Sequence, residues 1–146
     1  MRTSSRTATS ENVGFLLAKA TQRFNELLGE RFAARGFDEV RPSFGSVLVP
    51  LFEQDGRRLG DIAQAARLSK QAITGLVSQC EQAGLVARER DPDDGRAFRI
   101  SLTGRGHELR EVAEQELAAL DERIVAALGN RKRDALLDAL RGVMEL

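Results

Sequence analysis

The stretch RERDPDDGRAFRISLT, from Arg88 to Thr103, sets four arginines against four acids within its first twelve residues, around a Pro and a Gly. Two chemistries suit such a composition. The three aspartates of DPDDG suggest a calcium loop, and the flanking guanidiniums suggest contact with phosphate. An EF-hand-type loop wants oxygen ligands at positions 1, 3 and 5, a glycine at 6 and an acid at 12. Counted from Asp91, position 5 is Gly95 and position 12 is Leu102, so the calcium pattern fails. A solvated hairpin turn and a tip that touches a polyanion both remain.

The second candidate is the segment from Ser69 to Ala83. At about 100° per residue, Ala72, Ile73, Leu76, Val77, Cys80 and Ala83 fall in one arc. Lys70, Gln71, Thr74 and Ser78 fall opposite, with Gly75 at the edge. A solvated helix face more often carries Glu and Lys four residues apart. A small, hydrogen-bonding face with one cation suits a major groove. Gln71 would pair with adenine, Thr74 and Ser78 would meet base edges or phosphates, and Lys70 would meet phosphate. Ser69 is first a helix N-cap and second a phosphate donor.

The other reactive side chains point nowhere further. Cys80 sits in the apolar arc, where a thiol is buried and inert; a redox switch would need exposure and a lowered pKa. His107 is the single histidine, and one His with one Cys builds no zinc site. HELR lacks the second His of a zinc protease. There is no glycine-rich phosphate loop, no Gly-x-Ser-x-Gly elbow and no His-based triad. Neither an enzyme nor a cofactor or metal is expected.

The elements that must position these residues follow from periodicity. Glu11 to Ala34 repeats Phe15, Leu17, Phe24, Leu27, Leu28 and Phe32 at helical steps, with Gly36 as a stop. RPSFGSVLVPLFEQ predicts a second helix, with Pro42 in its first turn and Pro50 kinking or shortening it. DGRR from Asp55 predicts a turn. GDIAQAA is a short helix with Ile62, Ala63 and Ala66 on its apolar side, RLS is a break, and Gly84 ends the Ser69 helix. LVARER and RAFRISL then alternate with period two and predict a hairpin closed by DPDDG. Thr103 caps a long helix to about Leu128, with Leu109, Val112, Leu117, Leu120, Ile124 and Leu128 near heptad spacing. GNRKR breaks it, and a last helix carries Leu136, Leu137, Leu140, Val143 and Met144.

Two short helices joined by a tight turn, followed by a hairpin, make a winged helix-turn-helix. The fold class expected is mainly α, with a small β-hairpin wing on a DNA-binding lobe at about 42–103. Helices at 11–35 and 104–146 are too apolar on one side for so small a core and predict a helical dimerisation region. Together they form one domain over 11–146.

Bulk composition agrees. Of 146 residues 42% are apolar, enough for a core, with no Trp or Tyr. The longest apolar run, VLVPLF, is too short for a bilayer. MRTSSRTATS lacks the apolar region of a secretory signal and predicts a disordered tail over 1–10. A single Cys excludes an intrachain disulfide and fits a reducing cytoplasm. Net charge is zero, yet residues 57–105 carry nine basic and six acidic side chains while 106–146 carry six basic and nine acidic. A basic middle points to an anionic partner.

LGDIAQAARLSKQAITGLVSQCEQAGLVARERDPDDGRAFRISLTGRGHEL resembles the MarR family of dimeric winged-helix transcriptional regulators. The wing carries the most specific likeness: Asp94, one residue, Arg96, then AFRISLT and Gly106 three residues after the Thr. Two positions depart from the family pattern. Gly75 stands where a long polar side chain is common, and Gly104 where Pro is common. The resemblance implies a homodimer on a palindromic operator in double-stranded DNA. The Ser69 helix would lie in the major groove and Arg96, oriented by Asp94, in the minor groove. It also implies repression relieved by a small effector, often aromatic or anionic, bound between the dimer helices and the DNA-binding lobe. Phe15, Phe24, Phe44 and Phe52 are candidates to line that pocket, or else are core. A winged-helix dimer that binds protein instead of DNA is the alternative.

Overall fold

A computed structural model describes residues 9–146. The expected tail at 1–10 therefore falls almost wholly outside the described residues. The first helix, α1, runs Val13–Ala34, capped by Asn12, whose side chain accepts the Gly14 N–H at 2.8 Å. It ends at Gly36, which takes the left-handed conformation (φ 88°). A short 3-10 turn, Pro42–Phe44, leads into α2, Gly45–Glu53. Pro50 lies inside α2, buried, and the helix ends three residues later. Then come β1 (Arg57–Arg58), α3 (Leu59–Ala66), α4 (Lys70–Gln82), β2 (Val86–Arg90), β3 (Phe98–Leu102), α5 (Gly104–Leu128) and α6 (Asn130–Met144).

The expected order of elements is present, with two corrections. DGRR is not only a turn: Arg57 and Arg58 form a strand paired antiparallel with Ile100 and Arg99. The wing is thus a three-stranded sheet in the order β1-β3-β2. Alternation cannot reveal a two-residue strand, because its partner lies some forty positions away. The break after α5 is also narrower than GNRKR. Gly129 alone (φ 88°) reverses the chain, and Asn130 already begins α6.

One core joins the lobe. Leu51 of α2, Ile62 of α3, Ile73 and Val77 of α4, Ile100 of β3 and Leu109 of α5 are almost fully buried within it. On the other side, α1 and α5 are tied by Glu116, which accepts from Arg31 (2.9 Å) and Arg35 (2.7 Å). The hydrogen bond from Arg31, then that from Arg35, holds its carboxyl below the usual range. Arg105 binds Glu39 and the Gly36 carbonyl and lies over the Phe37 ring at 4.3 Å, fixing the loop after α1 to the start of α5.

The start of α5 is the tightest joint. Thr103 caps the helix, accepting the Gly106 N–H at 3.1 Å, and donates its own hydroxyl to the Gly84 carbonyl at 2.6 Å. The Leu85 carbonyl accepts the Thr103 N–H. A Cβ on Gly106 would stand 2.2 Å from that same oxygen. Glycine is required there by close approach, not by its dihedral angles.

The wing is anchored by Asp91, a carboxylate only 2% exposed. Its Oδ1 accepts the Asp93 N–H at 2.8 Å; its Oδ2 accepts from Arg58 Nε at 2.6 Å and lies 3.4 Å from Arg99 Nε. Arg99 also donates to the Gly56 carbonyl at 2.9 Å. One buried acid thus joins β1, β3 and the hairpin loop. The Asp93 N–H first, and then the Arg58 and Arg99 guanidiniums, hold its carboxyl below the ordinary carboxylate range against the opposing effect of burial.

Two expected outcomes follow from these contacts. Gly106→Ala should cost about 1–3 kcal/mol by overpacking, read from chemical denaturation. Gly104→Ala, where an added Cβ meets nothing within 4 Å, serves as the neutral control. The Asp91 carboxyl is depressed in the folded state, so its contribution is fully present above the unfolded pKa of about 3.9 and is lost as pH falls through the folded pKa. Asp91→Asn should therefore lower the melting temperature at neutral pH, by an amount that shrinks as melts are repeated below about pH 4. A gap that stays constant with pH would contradict this role.

Candidate nucleic-acid interface

Ser69 accepts the Ala72 N–H at 3.1 Å and so starts α4 as an N-cap. Ile73, Val77 and Cys80 turn inward and are fully buried, which leaves the opposite side to solvent. Lys70 and Gln71 are exposed on that outer side; Thr74 and Ser78 are half-buried at its edge. The Thr74 hydroxyl donates back to the Lys70 carbonyl at 2.8 Å. Ser78 accepts from Arg88 Nη2 at 3.4 Å. Ala72 is a correction to the helical wheel: it is exposed. It lies about 100° around the axis from Ile73, at the edge of the apolar arc, where α4 no longer faces its neighbours. Gly75 is exposed with open space around it. The outward strip of α4 therefore presents Gln71, Ala72, Gly75 and Gln79.

Burial raises the Cys80 thiol to about 12. With no exposure, it is not ionised near neutral pH and has no route to an oxidant.

The hairpin loop folds on its own acids. Asp94 Oδ1 accepts the Arg96 backbone N–H at 3.1 Å, and the Ala97 N–H bonds the Asp94 carbonyl at 3.0 Å. The expected hydrogen bond from the Arg96 guanidinium to Asp94 is absent. Arg96 Nε is 3.9 Å from Asp94 Oδ1, beyond hydrogen-bond range, and the Arg96 side chain is 97% exposed. Asp94 thus shapes the turn through the main chain and leaves the guanidinium exposed, beside the carboxylate but without a hydrogen bond to it. The physical reason is reach: an Asx turn uses the short side chain on the nearest N–H.

The neighbouring arginines are occupied. Arg88 binds Glu81 at 2.9 Å and Ser78, clasping β2 to α4. Arg90 donates to the Gly95 carbonyl and lies over the Phe98 ring at 5.5 Å, stiffening the loop. A cleft of about 360 Å³ bounded by Arg58, Asp61, Lys70, Arg88 and Phe98 joins the first turn of α4 to the base of the wing. Sequence reasoning missed Arg58, Arg88, Arg90 and Asp91 as the residues that hold the wing. Only Asp91 left a local trace: Asp-Pro-Asp is a turn-forming pattern.

The four phenylalanines proposed for an effector pocket are not brought together. Phe15 is 44% exposed on α1, and Phe44 is 3% exposed inside the core. Phe24 lies in an open apolar groove between α1, α5 and α6. Phe52 alone lines a cavity of about 130 Å³ between α1, α2 and α5, together with Leu28, Phe32, Arg41, Leu48 and Leu117. The four share a residue type and not a helix face, so spacing along the chain could not group them.

Among the described residues no cluster of three His, Cys, Asp or Glu side chains is placed to hold a metal ion. No helix among them is long and apolar enough to cross a membrane.

Comparison with known proteins places this geometry. Residues 52–97 match the model of the MarR family. The HTH-type transcriptional regulator YdgJ of Bacillus subtilis is 28% identical over 120 residues, covering 82% of this chain and 71% of the relative. An HTH-type transcriptional repressor of Mycobacterium tuberculosis H37Rv is 33% identical over 102 residues, 61% of this chain and 73% of the relative. The transcriptional repressor CouR, solved bound to a 23-mer DNA duplex, superposes with a TM-score of 0.80 at 27% identity, over 98% of this chain and 99% of that one. With its α4 face, three-stranded wing and long flanking helices, this chain belongs to the MarR family of transcriptional regulators.

Proposed function

We propose that the chain is a ligand-responsive repressor that binds a roughly palindromic operator in double-stranded DNA as a homodimer in the cytoplasm. The observation that carries the DNA reading is Arg96. Arg58, Arg88, Arg90 and Arg99 are all engaged within the lobe, while Arg96 extends from the wing tip with no hydrogen bond to its guanidinium. An exposed guanidinium on a stiffened hairpin fits the narrow minor groove, where negative potential is concentrated. Its neighbour α4 would lie in the major groove. Gln71 would read a base edge and Lys70 a phosphate, with Ser69 beside them. Thr74 and Ser78 would act through oxygens already engaged inside the lobe, and Asp94 by shaping the turn that aims Arg96. The DNA-bound state of the related CouR supports this reading.

The dimer reading rests on uncovered apolar side chains. Val13, Phe15 and Leu16 on α1, Leu117 on α5, and Leu136 and Val143 on α6 are all exposed, and no residue of α6 is buried. A second copy laid against these helices would cover them. On a palindromic operator such a dimer would need its two α4 helices about 34–36 Å apart, one turn of B-DNA. On this division, 11–35 and 104–146 form the dimerisation helices and about 42–103 the DNA-binding lobe. Ligand response is assigned to the cavity between α1, α2 and α5, because its walls belong to both parts.

Binding to random duplex DNA should fall steeply with salt, and Arg96→Ala should weaken operator affinity by about 1–3 kcal/mol without lowering the melting temperature. Absence of duplex binding at low salt would favour a protein partner instead. Leu136→Glu, which puts a charge on the exposed face of α6, should shift the species seen in sedimentation from dimer toward monomer.

A further inference from the structure

We propose that Arg67, in the turn between α3 and α4, is a positioning residue for operator binding. By holding the C-terminal end of α6 it fixes the direction of α4 against the helical region, and with it the half-site spacing that the dimer accepts. The inference rests on the homodimer and palindromic-operator reading above and names the residue that sets its spacing.

The first observation is conformational. Arg67 ends α3 in the left-handed conformation (φ 56°, ψ 39°), with its backbone N–H bonded to the Ala63 and Gln64 carbonyls. Among the described residues it is the one non-glycine at positive φ; the others are Gly36, Gly56, Gly84 and Gly129. Left-handed helix ends favour glycine, because a Cβ crowds the backbone there. Arg67 is thus held against its own backbone preference. Strain of that kind persists where the surrounding structure over-determines the residue.

The second is what the side chain reaches. Its guanidinium donates from Nη1 to the Met144 carbonyl and from Nη2 to Glu145 Oε1 at 3.2 Å. The last four carbonyls of a helix lack partners within it, and the aligned peptide dipoles make that end negative. In α6 the Gly142 and Val143 carbonyls accept from the Glu145 and Leu146 N–H groups, and the Met144 carbonyl accepts from Arg67. One residue therefore ends two helices, α3 with its main chain and α6 with its side chain.

The third is placement. α5 starts on the lobe, where the Thr103 N–H bonds the Leu85 carbonyl. α6 leaves the far end of α5 at Gly129, is tied to α5 by Arg133 and Asp121 at 2.8 Å, and returns to the lobe at Arg67. The two helices form a brace with both feet on the lobe. Its feet stand at the two ends of α4, Arg67 just before Lys70 and Leu85 just after Gln82. A rod held at one end can swing, and a rod held at both cannot. The Arg67–Glu145 pair is 59% and 74% exposed. Exposed pairs add little to folding stability, so losing this one changes geometry more than melting.

The test is selection of bound sites from a random duplex pool by the full-length wild type, Arg67→Gly and Glu145→Lys. Affinities are then measured on the selected duplex and on versions with one base pair inserted or removed at its centre. Each such change turns one half-site by about 35° relative to the other. Wild type should prefer the selected spacing by about tenfold or more. Arg67→Gly should cut that preference to about threefold or less, while selecting the same half-site and melting no lower, since glycine suits the backbone there. Glu145→Lys sets a cation against Arg67 without touching the lobe and should have the same effect. The double variant should be no broader than Arg67→Gly alone, because both changes remove one contact. A spacing preference that Arg67→Gly leaves unchanged overturns the assignment. So does a uniform loss of affinity on every duplex with a shallower salt dependence, which marks Arg67 as a phosphate contact. A wild type that selects no paired half-sites overturns the operator reading and this inference together. Paired half-sites with unaltered spacing in the variants overturn this inference alone.

Discussion

Three parts of the molecule meet on the main chain of Leu85. Its N–H bonds the Cys80 carbonyl and closes the end of α4. Its carbonyl accepts the Thr103 N–H, where β3 passes into α5. The first turn of α5 lies so close to that carbonyl that only glycine fits at 106. A joint made of backbone atoms has no rotamers with which to absorb a displacement. The long helix is thereby coupled directly to the end of α4 and to the hairpin. The candidate DNA-contact residues of α4 and of the wing lie on the two elements that this joint ties to α5.

Around the joint, arginines are divided between holding and reaching. Arg58 and Arg99 converge on the buried Asp91, Arg88 spans from β2 to α4, and Arg90 braces the loop from inside. Their charges are met within the fold, so the basic excess of the middle segment overstates the positive field offered to solvent. What remains outward is concentrated at a few points, Arg96 and Lys70 among them. A chain of zero net charge thus still leaves cations outward: its acids pair mainly with the arginines that position, and the Asp94 carboxylate stands 3.9 Å from the one at the wing tip.

Much of this was legible in the sequence, and the limits have physical causes. Helices with strong period and clear caps were readable because Asn12, Ser69, Thr103, Gly36 and Gly84 act locally. The hairpin was readable because its strands are adjacent and alternate. The β1 strand, the Asp91 anchor and the cavity were not, because each is made by residues far apart in the chain. Asp91 becomes a buried anchor only when Arg58, thirty-three positions earlier, is folded beside it. Ala72 was misplaced because a wheel shows which residues share a side and not where the neighbouring helices end. The phenylalanines were grouped by type, and the fold scattered them into core, groove and surface.

The uncovered α6 has a consequence for how the chain comes to be folded at all. A helix of fifteen residues is marginal in water when left to its own hydrogen bonds. None of its residues is fully buried, though Leu137 and Leu140 are half-buried and Arg133 binds Asp121 of α5. On the dimer reading, contacts with α5 would hold it in part and a second copy would supply the rest. Stability then rises with the number of copies present. On that reading a freshly made or diluted chain would carry an end more open to proteases. On the proposed dimer, the supply of the protein and the lifetime of each molecule would then be linked.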